Sequence, residues 1–270
     1  MLGIVEVDGG TAEESWADHG GDDSRQPSIE KQTLYWNSFN TSREQVQGEV
    51  SHRQARVVAD WLCRLGRDDL HILEVGCGGG WLAPTLLPFG EVTANDLADE
   101  VLDRAAKRHP EVTFVPGDVM DIALDPGSFD VVVSLEVLSH VENQAEFVDR
   151  LATLIRPGGQ LMLATQNRPV LTKYNDIPPA EEGQLRRWVD ADELGALLEP
   201  TYHVLELFSV TPVSNRGFMR VVNSRKVSAP IRVVVGDRLD RLKERMGLGW
   251  TLMCLAERKT DALLGDRSAV

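Results

Sequence analysis

Four glycines fall within five positions, Gly76, Gly78, Gly79 and Gly80, directly after the run "HILEV" of residues 71–75. Hydrophobic spacing resumes at once with Trp81 and Leu82. A buried strand that ends in glycines and restarts as a helix is the first βα turn of an open α/β sheet, where missing side chains let a ligand approach the backbone near a helix N-terminus. A chain with such a turn has to supply further strands beside the first, and helices to cover both faces of the sheet.

The remaining sequence supplies them. "EVTANDL" (91–97), "VTFVPGD" (112–118), "FDVVVSLE" (129–136), "QLMLATQ" (160–166), "YHVLELFSVTPV" (202–213) and "WTLMCLAERK" (250–259) read as strands. Helices are predicted over 79–88, 98–109 and 143–155, the last stopped by Pro157-Gly158-Gly159, and again over 190–200 behind an Asp cap. "ARVVADWLCRLG" (55–66) carries a helical stripe of Val57, Val58, Trp61, Leu62 and Leu65, with Gly66 as C-cap. Strands separated by helices of roughly 10–15 residues imply βαβ units and a parallel sheet.

The glycine turn alone does not name its nucleotide. The dinucleotide pattern G-x-G-x-x-G fits at Gly76 and Gly78, but Trp81 occupies the third position, where close helix–strand packing needs a small residue. That argues against an NAD-dependent oxidoreductase, as does the lack of a Tyr-x-x-x-Lys pair. No Gly-Lys-Ser/Thr follows, which excludes a P-loop.

"LEVGCGGG" resembles motif I of the class I S-adenosylmethionine-dependent methyltransferases: an acidic residue, any residue, then Gly-x-Gly-x-Gly. The order and spacing downstream agree, through Asp96 at the end of the second strand, "GDVMD" (117–121), "FDVVVSLEVLSHV" and "LIRPGGQLMLAT". The resemblance spans roughly residues 55–213 and is nearest to quinone-biosynthesis and natural-product small-molecule O-methyltransferases. It implies a Rossmann-like fold: a mostly parallel seven-stranded sheet, an antiparallel last strand, and helices on both faces. It also implies adenosylmethionine as methyl donor and adenosylhomocysteine as product. Asp96 is then expected to bind the ribose hydroxyls, Asp118 the adenine amino group, and Glu74 to position the methionine ammonium, directly or through water. Gly76, Cys77, Gly78, Leu97, Val119 and Leu135 complete the expected cofactor set. A carboxylate at Asp96 suits a ribose diol independently, since it can accept two charge-assisted hydrogen bonds at the carboxyl end of a strand.

The sulfonium methyl is already activated, so a protein chiefly has to align the acceptor with it. A hydroxyl acceptor also needs its proton removed. His140, just past the fourth strand, is the expected base; a helix cap or a packing role is the bland alternative. Methylation of a small-molecule hydroxyl is the leading expectation, with N-methylation or a non-catalytic cofactor-binding role as alternatives. Nothing in the pattern indicates a metal.

Composition bounds the rest. The net charge of −14 disfavours a nucleic-acid partner. No apolar run approaches a membrane span and no basic leader opens the chain. Cys63, Cys77 and Cys254 form no metal or disulfide pattern, which suits a reducing cytoplasm. Residues 1–27 carry seven acidic residues before Arg25 and read as a flexible tail ahead of one domain, 28–270. Within that domain, 28–66 forms an N-terminal cap, in which "TLYWNSF" (33–39) covers the cofactor or packs on the sheet edge. Residues 167–188 form a lid loop. Trp36, Tyr174, Arg186, Arg187 and Trp188 are the candidate acceptor contacts. Residues 215–245 hold nine Lys/Arg against three acidic residues, which fits a solvated helix, an anionic or amphipathic acceptor, or peripheral membrane contact. Oligomeric state is not legible.

Overall fold

The computed structural model describes residues 27–43, 47–216 and 238–260. The expected tail, except for Pro27, and most of the basic stretch lie outside the described residues. The strands are β1 (Leu70–Val75), β2 (Gly90–Asp96), β3 (Thr113–Pro116), β4 (Phe129–Leu135), β5 (Ile155–Gln166), β6 (Tyr202–Val210) and β7 (Thr251–Arg258). They form one sheet in the order β3-β2-β1-β4-β5-β7-β6. Pairing from β3 through β5 is parallel, and β7 runs antiparallel to both β5 and β6. The Rossmann-like fold implied by the glycine turn and its neighbours is the fold observed.

Two apolar layers cover the sheet, and strand alternation decides which residue faces which. Ile72, Val131, Val133, Met162 and Met253 pack on one face with α2 (Glu49–Leu65), through Val57, Val58, Trp61 and Leu62. Leu73, Val132, Leu161, Leu163 and Cys254 pack on the other, against α5 (Gln144–Leu154) and α7 (Ala191–Leu198), through Phe147, Leu151, Leu194 and Leu198. The central strand β4 is buried along its whole length, as a strand covered on both faces requires.

Two expectations need correction. The helix predicted over 79–88 shrinks to α3 (Ala83–Leu86) followed by a 3₁₀ turn, Leu87–Phe89. Gly76, Gly78 and Gly80 hold positive φ before it and Pro88 interrupts it, so the backbone between is spent on turns. Pro157-Gly158-Gly159 does not separate a helix from a strand. α5 stops at Leu154 and β5 starts at Ile155, so the tripeptide lies inside the strand. The pairing with β4 slips there, between Phe129 and Val131, which lets β5 carry a Pro and a positive-φ Gly158 as a bulge.

The first strand, β1, has neighbours β2 and β4, with connections leaving in opposite directions. The crevice past the carboxyl ends of β1 and β4 is therefore the topological switch point, where open α/β sheets take ligands. The helix α1 (Ile29–Arg43) lies at that end, tied to α4 (Asp99–Arg108) by Asn37 Nδ2 donating to Asp99 Oδ1 at 2.9 Å. The segment expected as a long loop is partly helical, as α6 (Arg168–Tyr174), and closes with a bridge between Asn167 and Val189.

Candidate active site

A cavity of about 1110 Å³ opens at the carboxyl ends of β1, β2 and β4. Its floor is the glycine turn. Gly76 N and Cys77 N both donate to Asn95 O, at 2.8 and 3.0 Å, fastening the turn to β2. The φ of Gly76 is 76°, and a Cβ there would stand 2.1 Å from Val137 Cγ2. Only glycine fits, because both the backbone conformation and the space exclude a side chain.

The next wall is built by the ends of β2 and β3. Asp96 Oδ2 accepts from Gly78 N at 2.7 Å and Oδ1 from Ala98 N at 2.9 Å. Each oxygen keeps a further lone pair, and Asp96 lines the cavity, so the carboxylate suits a ligand diol. Burial raises its pKa, against the pull of those two N–H bonds. Asn95 Nδ2 bonds Val115 O and Gly117 O, at 2.9 and 2.8 Å, and so fixes the turn that presents Asp118. Asp118, Leu97, Val119 and Leu135 all line the cavity beside Gly76 and Gly78.

Two members of the expected cofactor set do not. Cys77 is fully buried behind the turn. Glu74 lies on β1 beneath it, 3% exposed, with Oε2 unpartnered. Burial, reinforced by the nearby Asp96 charge, pushes Glu74 up to about 8. Glu74 thus stands behind the turn and not in the cavity wall.

The opposite wall follows β4. His140 closes the 3₁₀ turn Leu138–His140 and lines the cavity. Its Nδ1 lies 2.6 Å from Leu185 O. A carbonyl can only accept, so Nδ1 carries the proton and Nε2 carries the lone pair. Burial lowers the pKa and keeps the ring neutral. The Trp36 ring from α1 meets it edge-on at 4.7 Å. Leu185 is held in place because Arg187 N donates to Ser139 O, and Arg187 Nη1 to Glu142 O, both at 2.7 Å.

The expected acceptor contacts divide in the same way. Trp36, Arg186 and Trp188 line the cavity. Arg187 is a clamp holding the loop on the turn after β4, and it does not line the cavity. Tyr174 is also outside the lining; its ring lies 5.4 Å below Lys173 Nζ. The sequence reading missed Gln54, Glu136, Gln166 and Trp250, all of which line the cavity. One signal was available for Glu136, an acidic residue at the carboxyl end of a strand built around Val131, Val132 and Val133. Among the described residues no group of His, Cys, Asp and Glu side chains is gathered to hold a metal ion, and no helix is long and apolar enough to cross a membrane.

Residues 73–163 match the family model described as a methyltransferase domain. Curated relatives include the ubiquinone biosynthesis O-methyltransferases of Xanthomonas euvesicatoria, 39% identical over 39% of this chain and 46% of that relative, and of Colwellia psychrerythraea, 36% identical over 42% and 49%. The chain spans about half the length of the curated relatives it matches. Among solved structures, an N-methyltransferase from Bradyrhizobium japonicum in complex with S-adenosyl-L-homocysteine superimposes with a TM-score of 0.56 at 13% identity, covering 83% of this chain and 98% of the other. A putative methyltransferase bound to the Haloferax volcanii Trm112 activator gives 0.58 at 16%, covering 85% and 99%. The sheet order is that of a Rossmann-like fold, and the segment 73–163, which holds the glycine turn and Asp96, is similar to a methyltransferase domain.

Proposed function

We propose that this protein transfers the methyl group of S-adenosylmethionine to a hydroxyl oxygen of a small molecule, with His140 as the base. The observation that carries the reading is the His140 tautomer: Nδ1 is committed to Leu185 O at 2.6 Å, leaving a neutral Nε2 as proton acceptor at the wall of the same cavity as Asp96. The cofactor supplies an electrophilic methyl on a sulfonium. Asp96 would hold its ribose through the two remaining lone pairs, and Asp118 the adenine amino group. Gly76 and Gly78 would give it room. The acceptor's proton passes to His140 Nε2, and Trp36 and Trp188 enclose the acceptor away from water. Oxygen rather than nitrogen is favoured because a base held neutral is needed for a hydroxyl, and because the relatives above are O-methyltransferases by name. Three unpaired cysteines suit the cytoplasm as its location.

Calorimetric titration with S-adenosylhomocysteine tests the cofactor assignment. Asp96→Ala removes a charged acceptor and should weaken binding by about 1.5–3 kcal/mol, roughly 10- to 150-fold. NADH binding in place of the homocysteine adduct would overturn it. His140→Ala should abolish transfer while S-adenosylhomocysteine still binds; undiminished transfer by that variant removes the base assignment.

A further inference from the structure

Glu136 is an ionisable group of the cavity wall that the mechanism leaves unused. Glu136 sits one residue past β4 with φ 63°, a left-handed conformation that non-glycine residues rarely hold. Its N–H bonds Ala164 O at 2.8 Å, and Oε1 accepts from Gln54 Nε2 of α2 and from Thr251 Oγ1 of β7. Three elements thus fix the carboxylate in place. Glu136 lines the cavity, yet Oε2 is shielded from water and has no hydrogen-bond partner. An acceptor oxygen left open in a group that is otherwise fully ordered awaits a donor.

We infer that the methyl acceptor carries a protonated amine, held by Oε2 of Glu136. The inference rests on the proposed transferase reading and names the acceptor class for that site. A shielded carboxylate oxygen without a partner is costly, and a cationic donor offsets that cost better than a neutral one. Trp36, Trp188 and Trp250 line the same cavity and offer aromatic faces, which favour cations. The opposite case, an anionic acceptor, has weaker support. Arg186 is the guanidinium among the described lining residues, and it already donates to Gln184 Oε1 at 2.8 Å and to Pro178 O at 2.6 Å. The ammonium is the handle and the hydroxyl is the nucleophile, so the proton leaving oxygen goes to His140 and none leaves nitrogen.

Three phenols of nearly one shape test this: tyramine (cationic), para-ethylphenol (neutral) and para-hydroxyphenylpropionate (anionic). Each is titrated calorimetrically into the full chain saturated with S-adenosylhomocysteine, and turnover with labelled S-adenosylmethionine is followed by mass spectrometry. Tyramine should bind about 10- to 100-fold more tightly than the other two, a preference that the near-isosteric Glu136→Gln variant removes. S-adenosylhomocysteine affinity of that variant reports its folding and should stay within about twofold. His140→Ala should keep the charge preference and lose transfer. Equal binding of the three, preference for the anion, binding by none at millimolar concentration, or methylation of the tyramine nitrogen overturns the inference. Failure of the wild-type chain to bind S-adenosylhomocysteine would instead sink the transferase reading itself.

Discussion

Single positions decide whether the cavity exists. At Gly76 the carbon atom of one methyl group would stand 2.1 Å from Val137 Cγ2, in a conformation alanine avoids. Gly76→Ala should therefore abolish S-adenosylhomocysteine binding and lower the melting temperature, while Gly158→Ala, with nothing within 4 Å of its added Cβ, should affect only stability. Glu74 and Glu136 set the response to pH. Burial pushes them up to about 8 and about 7, above the ordinary carboxylate value near 4.5. Each favours the folded state fully below pH 4.5, and this contribution is lost as pH rises through the folded-state values. Thermal melts of the ligand-free protein should fall between pH 5 and about 8.5, and Glu74→Gln should flatten that decline; an unchanged slope would contradict the burial argument. His140 runs the other way. With its pKa below 6.5, protonation of the ring should cut kcat/KM on the acid side of that value.

At the scale of elements, the walls of the site differ in how firmly they are built. The strands β1 and β4 are buried on both faces, whereas α1 has no fully buried residue over 29–42 and exposes Leu34 at 71%. It is held by peripheral contacts such as Asn37–Asp99 and Lys31–Glu182 and by the Trp36 ring on His140. Amide hydrogen exchange should then be fast in α1 and slow in β4, and S-adenosylhomocysteine should slow α1 selectively. Equal protection of the two elements in the free protein would show that α1 is an integral wall. By contrast, α8 (Arg238–Arg245) is pinned. Arg53 of α2 grips Glu244 through two bonds, of 3.2 and 2.9 Å, while Glu244 Oε1 also takes the Thr211 N–H. That end of the basic stretch is an anchored part of the sheet's edge. The remainder of the stretch 215–245, residues 217–237, lies outside the described residues.

The whole molecule should respond to its ligand as one unit, since the glycine turn, Asp96 and β4 belong to the same buried sheet. At about 100 times Kd, S-adenosylhomocysteine should add about 2.7 kcal/mol, and each kcal/mol raises Tm by about 2–4 °C in a domain this large. A shift of roughly 5–10 °C, much reduced in Asp96→Ala, is the expected result. A full shift in the variant would mean that the ligand sits elsewhere.

Strands were legible because their signal is local: the apolar run 131–133 has to be buried whatever surrounds it, and β4 appears within a residue of its reading. The glycine turn and Asp96 were legible for a similar reason, since a sheet places the ends of adjacent strands together by its own geometry. The 79–88 helix was misread because local hydrophobic spacing does not register how much chain a turn of three positive-φ glycines consumes. What the residues alone could not show is convergence from distant elements. Gln54 on α2 and Thr251 on β7 meet Glu136 past β4, across 82 and 115 positions of chain. Leu185 reaches back over 45 to choose the tautomer of His140. The sequence by itself determined the sheet, the glycine turn and the carboxylate beside it, because pattern and neighbour order suffice for those. Only the tertiary structure decided which carboxylate was left with an open oxygen and which imidazole nitrogen kept its lone pair, because hydrogen-bond satisfaction depends on groups that meet only when the chain is packed.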